Sequence, residues 1–281
     1  MPVRKPAVSG QFYPSDPAEL SALIDECYTH RLGPGRLPPA PATDAEIVAA
    51  ISPHAGYVYS GPVAAHSYYH VSSLRSPDLA VVVAPNHYGL GSGVSTYDEG
   101  EWETPLGRMR IDEEAAAELV ELAGVAVDPG AHRLEHSLEV QLPFLQKLYG
   151  DSVPLLPISL LFQDLDTAGA VASALSKILS GRKAVLIASS DLTHYEPPSA
   201  AKEKDKALLG EVLRMDVPGF YSVLERLNVT ACGYGAIATV MLTARSLGLT
   251  KAELLEYATS GDTSGDNVQV VGYGALRFVN S

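Results

Sequence analysis

The chain has 281 residues, 46% apolar side chains and 24 glycines, enough to bury a substantial core in one large α/β domain. Its formal charge of −13 argues against nonspecific binding to nucleic acid or to an anionic membrane surface, since both need a basic patch to displace counterions. Two cysteines, Cys27 and Cys232, imply no disulfide framework, and with neither an apolar leader nor a bilayer-length run the expectation is a cytoplasmic protein.

Asp16 followed by Pro17 reads as an N-cap with proline in the first helical turn, and Leu20, Leu23, Ile24 and Cys27 continue at helical spacing. The proline-rich stretch from Leu32 to Pro41 is a surface loop before a first strand at 46–52. A helical run from Pro62 to Val71 leads to a second strand at 79–85, which makes a βαβ unit with a right-handed crossover. Asp112 starts a helix through Ala123, and Glu135 to Leu148 is a further helical candidate in which Pro143 marks a kink or break. A buried strand at 153–161, a helix at 166–179 and a strand at 184–190 follow. Helical turns from Ala200 to Leu213, a helix after Cys232, and closing strands at Leu254 to Ser260 and Val268 to Val279 complete the chain. Helices alternate with strands, so the class is α/β: a single domain over 1–281 with a central mixed or mostly parallel sheet flanked by helices.

Three of the strands end in short turns that carry a histidine: Ser52-Pro53-His54, Ala84-Pro85-Asn86-His87, and Ser189-Ser190-Asp191-Leu192-Thr193-His194. Parallel strands would gather these imidazoles beyond one sheet edge, where open α/β folds place their chemistry. Each alone is compatible with a histidine that merely hydrogen-bonds its turn. Two such loops on adjacent strands, at His54 and His87, suit metal binding, which needs convergent imidazoles where packing does not. Asp191, three residues before His194, is placed to hydrogen-bond that ring and fix its tautomer for proton transfer.

Cys232 lies in a glycine-containing turn before an apolar helix. That position predicts a lowered thiol pKa and a nucleophile or metal ligand, with tight packing as the alternative. Two histidines and a thiolate would leave open positions on a metal. His136 lies at the start of a predicted helix, and spacing alone leaves it outside the site. His66 and His70 share a helix face but lack the glutamate of a metalloprotease motif, and His30 and His132 read as surface positions.

Taken together, Gly10-Gln11-Phe12-Tyr13, Pro53-His54-Ala55-Gly56-Tyr57, Ala84-Pro85-Asn86-His87, Glu135-His136-Ser137-Leu138-Glu139, Ser189 through His194, and Cys232-Gly233 resemble the Memo family. They occur in family order over nearly the whole chain, and the bacterial and archaeal members are often named as the B component of the AmmeMemoRadiSam system. The resemblance implies a fold similar to class III extradiol dioxygenases, which hold Fe(II) with two histidines and a glutamate, and a functional link to AmmeMemoRadiSam components. By motif, His54 and His87 match the metal histidines, Cys232 replaces the glutamate, and His194 with Asp191 matches the proton-handling pair. The resemblance also brings His136 into the site. Where the animal proteins have Arg-His, this chain has Tyr234-Gly235.

The expected cofactor is a divalent metal, Fe(II) foremost, with Zn or Cu also suited to a thiolate donor. A metal-dependent oxidoreductase acting on a small aromatic or anionic substrate is one reading. A module that binds a peptide or phenol ring in the same crevice, flanked by Phe12, Tyr57 and Tyr59, is another, and a hydrolase using zinc hydroxide or a Cys232 nucleophile is a third.

Overall fold

Four apolar runs form the parallel centre of one mixed sheet: in spatial order Ile47–Ser52, Ala184–Ser189, Leu79–Pro85 and Leu155–Leu160. The computed structural model describes residues 2–280. All four strands are buried along their whole length, as strands covered on both faces must be, and this is why they read as continuous apolar runs. Alternate residues serve opposite layers. Ile47, Ala49 and Ile51 join the core under the helices Leu165–Ile178, Pro198–Leu213 and Tyr234–Ser246. Val48 and Ala50 face the helices Pro17–Thr29, Tyr57–Val71 and Leu142–Tyr149.

The register aligns the carboxyl ends: Ser52 pairs with Ser189, and Val83 with both Ala188 and Ile158. One expectation changes here. Ala184–Ser189 lies between the strands that precede His54 and His87, so those loops are two strands apart and not on neighbours. A helical crossover is long enough to leave a slot that a later strand fills, and the chain fills it with the strand leading to Asp191 and His194.

Outside this centre, Val270–Val279 runs antiparallel to Ile47–Ser52 and also pairs with Lys251–Thr259 and with the short strand His194–Glu196. On the far side Val94–Thr96 pairs antiparallel with Leu155–Leu160 and parallel with Ala126–Val127. A second, small sheet joins Val3–Arg4, Glu101–Thr104 and Gly107–Arg110. These strands of two to four residues carry too little periodicity to be read from the sequence.

Helix starts follow their capping chemistry. Asp16 accepts from the amides of Ala18 and Glu19 at 2.8 and 2.9 Å, and Asp112 from Ala115 at 2.9 Å. The second helix begins at Tyr57, a turn earlier than expected, with Pro62 inside it. The predicted helix from Glu135 to Leu148 forms only in its second half. Residues 135–138 make a turn, Glu139–Gln141 a 3-10 helix, and the α-helix starts at Leu142 with Pro143 in its first turn, where a missing N–H costs nothing. A helix at Val217–Leu227 was not anticipated. Among the described residues, no helix is long and apolar enough to cross a membrane.

Candidate metal centre

His54 leaves its strand after Pro53 and is only 2% exposed. Its backbone N–H donates to Asp191 Oδ1 at 2.8 Å, and its Nδ1 lies 2.8 Å from Ser189 Oγ. The Ser189 hydroxyl already donates its single proton to the Ser137 carbonyl at 2.7 Å. It must therefore accept from His54, which places the ring proton on Nδ1 and leaves a lone pair on Nε2. Burial, with His87 and His136 nearby, holds the ring well below the usual histidine range, so it is a neutral donor at pH 7.

His87 is fixed in the same sense by a carboxylate. Glu135 Oε1 lies 2.9 Å from His87 Nδ1, and Oε2 accepts the His87 amide at 2.5 Å. An acceptor at Nδ1 again directs Nε2 outward. Oε1 also takes the amides of His136 and Ser137 at 3.0 and 2.9 Å, which is what replaces the expected helix by a turn. Burial alone would raise this carboxyl; the hydrogen bond from His87 and the Ser137 amide outweigh it and hold Glu135 down to about 2.

That turn delivers His136. Its ring stacks on His87 with centroids 4.7 Å apart, lies 5.6 Å from His54, and rests against Phe12 at 4.7 Å. Burial pulls it to about 4. Its Nδ1 is buried without a hydrogen-bond partner. One ligand atom from each of His54, His87 and His136 falls within 4.8 Å of the others, so the ring that spacing left out belongs to the cluster.

Cys232 touches this group from one side. Its sulfur is 3.3 Å from His54 Nε2 and accepts the Asp191 amide at 3.3 Å. It stands two residues before the helix Tyr234–Ser246. A Cβ on the intervening Gly233 would overlap the Ser189 carbonyl, so glycine is what lets this turn approach the strand end. The predicted fall in thiol pKa is reversed: burial, followed by the charge of Asp191, pushes the thiol well above its ordinary value. A thiolate at this place requires a cation beside it.

Asp191 and His194 are not arranged as expected. The Asp191 carboxylate turns to the His54 amide, and burial raises its pKa to about 6. Thr230 orients His194 instead, its carbonyl 2.9 Å from Nδ1 and its hydroxyl accepting the His194 amide at 2.8 Å.

His54, His87, His136, Asp191, His194 and Cys232 line a crevice of about 540 Å³, together with Phe12, Tyr88, Thr230, Tyr195 and Val271. Tyr57 does not line it: the earlier helix start turns its ring into the core, where it packs on Phe144 and its hydroxyl donates to the Val140 carbonyl at 2.7 Å. Tyr59 falls on the outer face, 45% exposed and off the lining. Sequence reasoning missed Glu135, Tyr88, Thr230 and Tyr195, none of which carries a periodic signal. His132, read as a surface residue, is 1% exposed.

A family model described as Memo-like protein matches residues 4–277. MEMO1 family proteins of Nitrosopumilus maritimus and Methanopyrus kandleri are 47% and 46% identical to this chain, over 99% and 98% of it and 100% and 98% of their own length. The crystal structure of an uncharacterized protein from Escherichia coli K12 aligns with a TM-score of 0.56, covering 82% of this chain and 98% of that one. At 15% identity that likeness concerns the fold. Motif order, fold and near-complete coverage by close relatives agree, and the chain belongs to the Memo-like family.

Proposed function

We propose that this protein is a metal-dependent oxidoreductase, with Fe(II) held at the strand-end crevice and a small aromatic or anionic molecule as substrate. The observation that carries the reading is the convergence of His54, His87 and His136 to within 4.8 Å. The donor set fits a metal. Ser189 and Glu135 occupy the Nδ1 atoms of His54 and His87, which leaves a lone pair on each Nε2, the one on His54 with the Cys232 sulfur 3.3 Å away, and the buried Nδ1 of His136 makes no hydrogen bond, with Glu135 Oε1 3.4 Å from it. Cys232 is close enough to His54 to join or replace one imidazole, and a soft thiolate beside imidazoles suits Fe(II), Zn(II) or Cu(I).

When bound, the metal would supply Lewis acidity and, as iron, one-electron chemistry. The rest falls to the chain. Thr230 accepts the Nδ1 proton of His194, so His194 presents Nε2 to the crevice as the proton acceptor and donor for bound substrate. Asp191 positions the His54 loop through its amide and is not the partner of His194. A hydrolase with a free Cys232 nucleophile is disfavoured, because desolvation and the charge of Asp191 raise the half-buried thiol above its ordinary pKa and its neighbour is His54, not His194.

Cobalt loading tests the ligand set. A thiolate ligand gives an intense sulfur-to-cobalt absorption that Cys232→Ser abolishes, whereas a three-imidazole site keeps its weaker visible bands in that variant and loses them in His136→Ala. No cobalt binding by the wild-type chain would overturn the reading.

A further inference from the structure

Tyr195 adopts φ +57°, in the left-handed region, where a bulky L-residue is strained. Among the described residues, three other non-glycine residues share a positive φ. Asn228 is the C-cap of the helix Val217–Leu227, and Met215 follows Arg214, the C-cap of Pro198–Leu213; left-handed residues are ordinary helix stops. Ser76 lies in the connection between the helix Tyr57–Val71 and the strand Leu79–Pro85. Tyr195 alone sits between two paired strand residues. His194 pairs with Val271 and Glu196 with Val270, so Tyr195 is the extra residue of a β-bulge.

Bulges next to active sites re-aim a side chain, and strain of this kind persists where the surrounding structure imposes it. Here the result is a large ring left 70% exposed, lining the crevice beside Phe12 and Tyr88 and 5.7 Å from the His194 ring. Core packing does not account for a ring so exposed.

We propose that Tyr195 is the specificity-determining residue of the crevice: the bulge holds its ring at the rim, where it stacks on planar aromatic ligands and selects them over aliphatic ones. The inference rests on reading the crevice as a small-molecule site. It makes two demands of opposite sign on one substitution. Tyr195→Gly removes the stacking surface and also relieves the strained backbone, so ligand binding falls while stability rises.

The test is calorimetric titration with 4-nitrophenol, an aromatic probe that needs no chelation, run with and without added metal so that the outcome does not depend on metal loading. Tyr195→Gly is expected to bind the probe about tenfold more weakly and to melt about 2 °C higher, with metal content unchanged. Tyr195→Phe, which keeps the ring, retains wild-type binding. Absence of probe binding by the wild-type chain, unchanged binding in Tyr195→Gly, or weaker binding together with a lower melting temperature would overturn the proposal. A chain that binds the probe through Tyr195 but takes up no metal would contradict the metal reading alone.

Discussion

At the scale of residues, the centre depends on groups that fix the imidazoles as much as on the imidazoles themselves. His54 and His87 were legible because each follows an apolar run and a proline that ends it. Spacing left out His136 and Glu135, and only the family resemblance brought His136 in, because the turn they occupy exists only once the Glu135 carboxylate gathers the amides of His87, His136 and Ser137. Removing an outer partner of a ligating histidine usually weakens metal binding 10–100-fold. Glu135→Ala is therefore expected to lose roughly that factor in a competition titration against a chromophoric chelator, and an unchanged affinity would show that Glu135 does not act through His87. Tyr57 and Tyr59 were misassigned for a local reason: the helix begins at Tyr57 and not at Pro62, so both residues lie within it and neither lines the crevice.

At the scale of elements, the long buried strands were readable from their apolar runs, whereas their spatial order was not. Nothing local to residues 184–189 announces that they insert between two earlier strands. The N-terminal segment was equally silent. Arg4, 5% exposed, forms a buried ion pair with Glu139 and donates to the carbonyls of His132 and Glu135. Glu139 also accepts from the amides of Ala7 and Val8 and from the Tyr13 hydroxyl at 2.5 to 3.1 Å. These bonds staple residues 4–13 to the turn that bears His136. Arg4→Met strands a buried carboxylate and should cost about 3–5 kcal/mol in urea unfolding. Adding Glu139→Gln removes that charge and should recover a substantial part. Equal stability of the wild-type chain and Arg4→Met would contradict the role given to the pair.

At the scale of the whole molecule, buried neutral histidines away from the crevice make stability depend on mild acid. Burial, assisted by the charge of Arg4, lowers His132 to about 4, and burial with Arg277 nearby does the same for His70. Their folded pKa values lie below the unfolded value near 6.5, so the unfolded chain takes up protons first as pH falls. The stabilisation is complete above about pH 6.5 and is lost as pH falls toward 4. His132 alone should account for about 2 kcal/mol between pH 7 and pH 5. Glu135, held near 2, loses its share as pH falls from the ordinary carboxylate value toward 2, so its window lies below that of the histidines. A flat urea-unfolding profile from pH 7 to pH 5 would contradict this assignment.

The central claim is that the aligned strand ends form a metal-binding site, and metal stoichiometry tests it most directly. After anaerobic purification without chelator and reconstitution with ferrous iron, the wild-type chain is expected to carry about one metal ion per molecule. His54→Ala and His87→Ala, checked for folding by circular dichroism, should carry almost none. A wild-type chain that takes up no iron, zinc or copper, or variants that retain the wild-type content, would contradict the account.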